Sequence, residues 1–351
     1  MAMMKVPVSP DLQVPAGHVR VGTLQALPGV IRNLGSKPES VLGPFGLTEE
    51  YLTVPGNMLP IRVACGLLHL AARKTRCEHF ALLGATSIGA NSLGPGGKAM
   101  RLAKSVGESL AIFRTYMPLH NRHAIVRVGR QGSDAFLGYS LLDGNFPGIQ
   151  EHQDGAMAVA VNLMRMLVGT SWKPKEVCLM RRTPAEPEIY SRFFGAPCHF
   201  NAKCSQLVFP AATLELPLAC SDTPTAESIE TTVRLASFDE LATEDWIILV
   251  RRLTLELVLN GNCSRQAVAT SLSISPRTLN RKLAQAGASF QELADYSRFT
   301  ASRSLVGETD MPLGEVARTM DYTNPSAFCR AFKRWTGVSP QTWRDRSTIL
   351  P

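Results

Sequence analysis

The chain has 351 residues, a length that predicts two domains, each large enough to bury its own core. Its 45% hydrophobic and 19% charged residues exclude an intrinsically disordered chain. The formal net charge is +8, and residues 245–351 hold 14 Lys and Arg against 9 Asp and Glu, a net of +5. The basic excess therefore lies in the last third of the chain, which is typical of nucleic-acid-binding proteins.

The cysteines and the apolar runs indicate where in the cell the protein is located. Eight cysteines are scattered without a CxxC pair, unlike the disulfide framework of a small secreted domain. The first fifteen residues lack the apolar core of a signal peptide, and the longest apolar runs are too short for a membrane span. We therefore expect a cytoplasmic, nucleoid-associated protein with no membrane contact.

The first two thirds of the chain predict an α+β domain. Residues 1–29 are rich in proline near their start and predict a mobile N-terminal segment. Residues 30–217 mix helical and strand patterns, as an α+β domain does. The predicted helices cover 59–74, 97–116, 150–168 and 186–194, and the predicted strands cover 124–128, 135–142, 176–180, 198–201, 206–209 and 213–216.

One triplet in this domain offers an enzymatic alternative. Pro197-Cys198-His199 resembles the Pro-Cys-His-Arg centre of alkyl-DNA methyltransferases, whose thiolate accepts an alkyl group, but position 200 is Phe. The alternative is thus an alkyl-transfer DNA-repair or regulatory protein that uses Cys198, and the favoured interpretation is a buried cysteine with no catalytic role. Cys198, His199, Cys204, His120 and His123 do not have the spacing of a standard zinc site, so we predict no metal and no cofactor.

The last third predicts an all-helical domain behind a linker. Residues 218–243 are polar and acidic and predict the interdomain linker, and residues 244–347 form the terminal domain. Ser289 and Glu292 form a capping box at the start of a helix that runs to about residue 307, roughly 27 Å long. Such a helix can hold two recognition helices about 34 Å apart, one turn of B-DNA.

The terminal domain contains one pattern twice, near 264–286 and 312–336. Each copy predicts a helix, a turn and a second helix with a polar cap, a proline at its first position, inward apolar residues and outward basic ones. Two such helices make a helix-turn-helix unit. The matched positions are Val268 and Val316, Ser275-Pro276 and Asn324-Pro325, Leu279 and Phe328, Arg281 and Arg330, Leu283 and Phe332, and Gly287 and Gly337.

These residues carry a family resemblance. The runs "SPRTLNRKLAQAGASFQEL" and "FCRAFKRWTGVSPQTWR" strongly resemble the DNA-binding domain of AraC/XylS-type transcriptional regulators. Residues 30–217, through the run that begins "SWKPKEVCLM", resemble the effector-binding domain of the arabinose-operon-regulator type. The resemblance implies a sequence-specific regulator that binds promoter DNA and a small-molecule effector of unknown identity. It also implies contact with RNA polymerase and a possible homodimer, with activation as the favoured sign of regulation.

The resemblance also implies roles for the outward residues of the two units. Arginine can make two hydrogen bonds to guanine and asparagine two to adenine, whereas lysine more often contacts phosphate. The residues predicted to face bases are Arg277, Asn280 and Arg281 in one major groove and Ser326, Ala327 and Arg330 in the next; those predicted to contact phosphates are Lys282, Lys333 and Arg334.

Overall fold

Residues 18–24 pack into the N-terminal domain. The computed structural model describes residues 14–15, 17–54, 56–86, 88–93, 95–142, 146–219 and 246–349. Strand β1, His18–Arg20, pairs antiparallel with β2, Met58–Pro60. Val19, Val21 and Leu24 are buried in the core. The predicted mobile segment is therefore wrong for residues 18–29, because these apolar side chains leave water; residues 1–13 lie outside the described part.

The N-terminal domain contains several helices. The predicted helix 97–116 is wrong as a single element, because the chain forms two helices there. The first helix ends at Met100 and the second begins at Val106. Ser105 caps the second helix, because its hydroxyl accepts a hydrogen bond from Glu108 N at 3.3 Å. The helices are α1 Leu27–Asn33, α2 Glu39–Leu42, α3 Glu49–Thr53, α4 Ile61–Thr75, α5 Phe80–Ala85, α6 Pro95–Met100, α7 Val106–Tyr116, α8 Ile149–Val168 and α9 Pro187–Phe194.

A five-stranded sheet completes this domain and confirms its α+β class. The strands are β3 Ala124–Gln131, β4 Asp134–Leu141, β5 Glu176–Cys178, β6 Cys198–His199 and β7 Ser205–Pro210. Their order is β3-β4-β7-β5-β6, with β5 and β6 parallel and the other pairs antiparallel. The predicted strand 213–216 is wrong: Ala211–Glu215 forms a 3₁₀ helix, in which Leu216 N donates to the Thr213 carbonyl.

The C-terminal domain is helical throughout its described residues. Its two helix-turn-helix units are joined by one long helix, as predicted. Residues 220–245, which hold most of the predicted linker, lie outside the described part. The helices are α10 Trp246–Leu259, α11 Arg265–Ser271, α12 Pro276–Gln285, α13 Phe290–Glu308, α14 Leu313–Thr319, α15 Pro325–Thr336 and α16 Pro340–Ile349, the last of which was not predicted.

The two domains share an apolar and polar contact surface. Ile125, Leu142 and Met180 of the N-terminal domain are buried in a cluster with Leu259 and Met311 of the C-terminal domain. Hydrogen bonds surround the cluster: Arg127 Nη1 donates to Asn260 Oδ1 at 2.7 Å, Asp310 N to Asn201 Oδ1 at 2.8 Å, and Arg182 Nε to Asp310 Oδ1 at 3.0 Å. Among the described residues, no helix is long and apolar enough to cross a membrane.

Candidate nucleic-acid interface

Both candidate recognition helices, α12 and α15, begin at the predicted caps. The Ser275 hydroxyl accepts a hydrogen bond from Thr278 N at 3.1 Å, and Asn324 Oδ1 accepts one from Ser326 N at 2.7 Å. Pro276 and Pro325 take the first helical position, where no N–H is needed. The capped N-terminal turns therefore have a fixed direction, and residues there can be aimed at a groove.

The turn before each recognition helix has a conformation that the sequence did not reveal. Ser273 has φ 54° and Asp321 has φ 61°, so both residues are left-handed although neither is glycine. They stand 48 positions apart, the same spacing as Val268 and Val316 in the repeat. A non-glycine residue in this region costs roughly 1–2 kcal/mol. Both copies therefore reverse the chain at the same position of the repeat.

Apolar side chains hold each recognition helix from one side. Leu279 and Leu283 are fully buried in one cluster, while Phe328 and Phe332 are fully buried in another. The Phe332 ring centre lies 6.0 Å from that of Trp343 on α16, in an edge-to-face arrangement. Because these residues follow the i, i+4 spacing, the opposite side of each helix faces solvent.

The solvent side of α12 carries the first set of predicted base-reading residues. Arg277, Asn280 and Arg281 are all exposed and lie at i, i+3 and i+4, on one face of the helix. Within the described part of the chain, none of these three side chains makes a hydrogen bond or an ion pair. Lys282 is different, because its Nζ lies 4.5 Å from the ring centre of Trp246 in a cation–π contact.

The solvent side of α15 carries the second set. Ser326 and Arg330 are exposed and Ala327 is partly buried, so this face offers one hydroxyl, one methyl group and one guanidinium. Lys333 and Arg334 are exposed one turn further along the helix, and the Arg334 guanidinium lies 5.9 Å from the ring centre of Trp335. This face is basic but less rich in hydrogen-bonding groups than the corresponding face of α12.

Helix α13 connects the two units as the capping box predicted. Glu292 Oε2 accepts a hydrogen bond from Ser289 N at 2.8 Å, and the Ser289 hydroxyl accepts one from Glu292 N at 3.2 Å. The helix has 19 residues, which corresponds to about 28 Å. Such a rigid element fixes the separation of the two exposed basic faces.

Comparison with known proteins decides the family. Residues 35–218 match the family described as the arabinose-binding N-terminal domain of AraC transcription regulators, and residues 268–346 match a helix-turn-helix domain family. The chain belongs to the AraC family of transcription regulators.

This AraC-family regulator is similar to several bacterial transcription regulators. It is 23% identical to the HTH-type transcriptional regulator VirS of Mycobacterium tuberculosis over 93% of this chain and 96% of that protein. It is 30% identical to the ornithine utilization regulator of Pseudomonas aeruginosa over 55% of this chain and 56% of that protein. The crystal structure of the regulator CdpR from Pseudomonas aeruginosa aligns with a TM-score of 0.42 at 23% identity, covering 84% of this chain and 96% of CdpR.

The surroundings of Cys198 do not favour alkyl transfer. Its Sγ lies 3.7 Å from the Ala196 carbonyl oxygen, and burial raises the pKa of the thiol to about 11. A nucleophilic cysteine needs the thiolate, which this environment disfavours. The neighbouring His199 pairs with Glu176, with Nε2 3.3 Å from Oε2. The domains and relatives of the chain are those of a transcription regulator, so the alkyl-transfer alternative is not supported.

The N-terminal domain of this regulator contains a cavity that the sequence did not locate. The space inside it that water can reach is about 70 Å³, and the cavity is open to solvent at its mouth. Elements far apart in sequence contribute its polar residues, so no local motif could have assigned them. These residues are Thr23, His120, Asn121, Tyr139 and His152. Among the described residues, no group of three or more His, Cys, Asp and Glu could hold a metal ion.

Proposed function

We propose that this regulator reads promoter DNA with α12 in one major groove and α15 in the next. We further propose that a small molecule in the N-terminal cavity changes this binding. The residues assigned to bases are Arg277, Asn280, Arg281, Ser326, Ala327 and Arg330, and those assigned to phosphates are Lys282, Lys333 and Arg334.

The observation that carries the DNA proposal is the free basic face on each capped helix. Arg277 and Arg281 are exposed and make no ion pair within the described residues, so their guanidinium groups remain available to a ligand. A surface arginine that served stability would be expected to pair with a carboxylate. Two bidentate contacts to guanine from one helix would each contribute about 1–3 kcal/mol of discrimination.

The second unit should read sequence less strictly than the first. Ser326 and Ala327 provide only a hydroxyl and a methyl group, which leaves Arg330 as the one group on this set that can make a bidentate contact. Lys333 and Arg334 lie beside it and suit phosphate oxygens, which position a helix without specifying a base. The second unit would therefore contribute affinity more than specificity.

A continuous connection between cavity and DNA-binding domain supports the effector proposal. Helix α8 contributes His152 to the cavity, and Gln150, two residues earlier, is hydrogen bonded to the Glu308 side chain at the end of α13. A ligand that moves the start of α8 would thus alter a contact with the helix that spaces the two units. Activation, contact with RNA polymerase and homodimer formation stay predictions.

Salt dependence of promoter binding tests the DNA proposal. Each phosphate contact contributes about 0.9 to the slope of log K against log salt, so three contribute about 2.7. Affinity for the promoter duplex should then fall at least about 40-fold between 50 and 200 mM salt. Lys333→Ala should lower the slope by about 0.9.

The matched control is Arg192→Ala, which removes an exposed arginine on α9 of the N-terminal domain. It should leave both slope and affinity unchanged, because α9 has no place in the proposed interface. A flat salt response of the parent protein, or equal effects of the two substitutions, would contradict the proposal.

A further inference from the structure

The walls of the N-terminal cavity are almost entirely apolar. Helices α1, α4, α7 and α8 supply Leu27, Leu68, Phe113 and Val159, and the 3₁₀ turn after α7 supplies Met117. None of the residues that line it carries a permanent charge. Transfer of an ionised group into such surroundings without a partner is very costly. The cavity is therefore suited to an uncharged molecule.

Three polar side chains of the cavity, Asn121, Tyr139 and His152, form one small cluster. Tyr139 is at its centre: Asn121 Nδ2 donates to the tyrosine oxygen at 3.2 Å, and His152 Nε2 lies 2.9 Å from the same oxygen. Asn121 is itself held, because its Oδ1 accepts a hydrogen bond from His123 N at 2.9 Å. Asn121, Tyr139 and His152, three of the five polar side chains that line the cavity, thus already have partners within the protein.

His120, another polar side chain of the cavity, has a ring nitrogen that lacks a partner. It is 6% exposed, and its Nδ1 has no hydrogen-bond partner within the described part of the chain. A buried polar atom without a partner costs about 1–3 kcal/mol, a cost that a ligand can offset by a hydrogen bond. Burial lowers the pKa of His120 to about 3 and that of His152 to about 4, so both rings are neutral at pH 7.

We propose that the cavity binds an uncharged, mainly apolar molecule with one hydroxyl or carbonyl group, which hydrogen bonds to His120. The assignment rests on the proposed effector role of the cavity and specifies the chemistry of its ligand. A pentose would bring several hydroxyl groups against walls without partners for them. A free amino acid would bring two charges that no side chain in the cavity can balance.

Three eight-carbon probes that differ only in the head group test this inference. Octan-1-ol is neutral, octanoate is anionic and octylammonium is cationic at pH 7.5. Titration calorimetry and thermal unfolding of the full chain should show submillimolar binding of octan-1-ol and at least tenfold weaker binding of both ions. L-arabinose and L-ornithine at 10 mM should give no shift of the unfolding temperature.

Two variants locate the binding in the cavity. His120→Leu should weaken octan-1-ol by about 3- to 10-fold, the net effect of one hydrogen bond. Gly84 lines the cavity, and an added Cβ would meet no atom within 4 Å, so Gly84→Leu should occupy the space without removing a polar group. Gly84→Leu should abolish binding while it preserves the unfolding temperature.

Several results would overturn the inference. They are no binding of octan-1-ol, binding of either ion as tight as that of the alcohol, or unchanged affinity in Gly84→Leu. Failure of the DNA proposal has a separate readout, promoter affinity without a probe. If octan-1-ol binds as described but leaves promoter affinity unchanged, the ligand class stands and the effector role of the cavity fails.

Discussion

The hydrogen bond between Arg127 and Asn260 joins the two domains. Replacing one partner or the other should change the stability of the protein in different directions. Arg127 on β3 is 1% exposed and faces α10, and its Nη1 donates to Asn260 Oδ1 at 2.7 Å. Its Nε and Nη2 have no partner within the described residues, and its guanidinium lies 5.6 Å from the Phe136 ring centre. The guanidinium is thus a buried cation whose one hydrogen-bond partner among the described residues is Asn260, with the carboxylate of Glu256 as a neighbouring opposite charge.

Asn260→Ala should destabilise the full chain by about 1–1.5 kcal/mol. A hydrogen bond to a charged group contributes about 1.5–3 kcal/mol, and we take less because Asn260 is exposed and water can replace its oxygen. The expected change is a factor of roughly 5 to 13 in the unfolding equilibrium. Arg127→Met should cost nothing or stabilise, because it removes the poorly paired charge and keeps an apolar side chain of similar length.

Urea unfolding of the full chain, followed by tryptophan fluorescence, measures both variants. Glu256 keeps Arg114 and Arg252 as neighbouring cations in Arg127→Met, so loss of one arginine should not leave this carboxylate without compensation. The reasoning is refuted if Asn260→Ala changes the unfolding free energy by less than about 0.5 kcal/mol. It is also refuted if Arg127→Met destabilises as much as Asn260→Ala does.

Three further predictions concern Glu308, the cap of α13 and the boundary between the domains. Burial raises the pKa of Glu308 to about 7, so its stabilising contribution is complete below about pH 4.5 and is lost as pH rises through 7. In thermal unfolding, Glu308→Gln should match the parent at about pH 4 and be more stable than the parent at about pH 8. Ser289→Ala should cost about 1 kcal/mol in urea unfolding, because it removes the cap of α13, and should loosen the spacing of the two units. Fragment 240–351 should still bind the promoter in a gel-shift assay and lose any effector response; a folded fragment that does not bind would show that the boundary is wrong.

The C-terminal domain was predictable because its signals are local. Ser275, Asn324 and Ser289 lie within four residues of the backbone groups that they cap, and the apolar stripe at Leu279 and Leu283 follows the period of one helix. The left-handed turns at Ser273 and Asp321 were missed because neither residue is glycine, so the sequence carried no sign of a positive φ.

The N-terminal domain was less predictable because long-range contacts decide its details. The strand predicted at 213–216 fails because Val106 N, more than a hundred residues away, takes the Leu216 carbonyl that a strand partner would have used. His120 and His152 meet across the cavity from different elements, and Arg127 reaches Asn260 across 133 positions. No window of sequence contains both members of such a pair.

Selection of binding sites from random DNA tests the central claim, that α12 reads bases through Arg281. The parent, Arg281→Ala and Lys333→Ala should be compared at one salt concentration, because both substitutions remove one positive charge from an exposed face. Arg281→Ala should flatten the preference at one or two base pairs of the selected site, with a loss of about 1–3 kcal/mol at that site. Lys333→Ala should weaken selected and random DNA alike and leave every base preference in place. If Arg281→Ala retains the base preferences of the parent at full strength, the first unit does not read DNA as proposed.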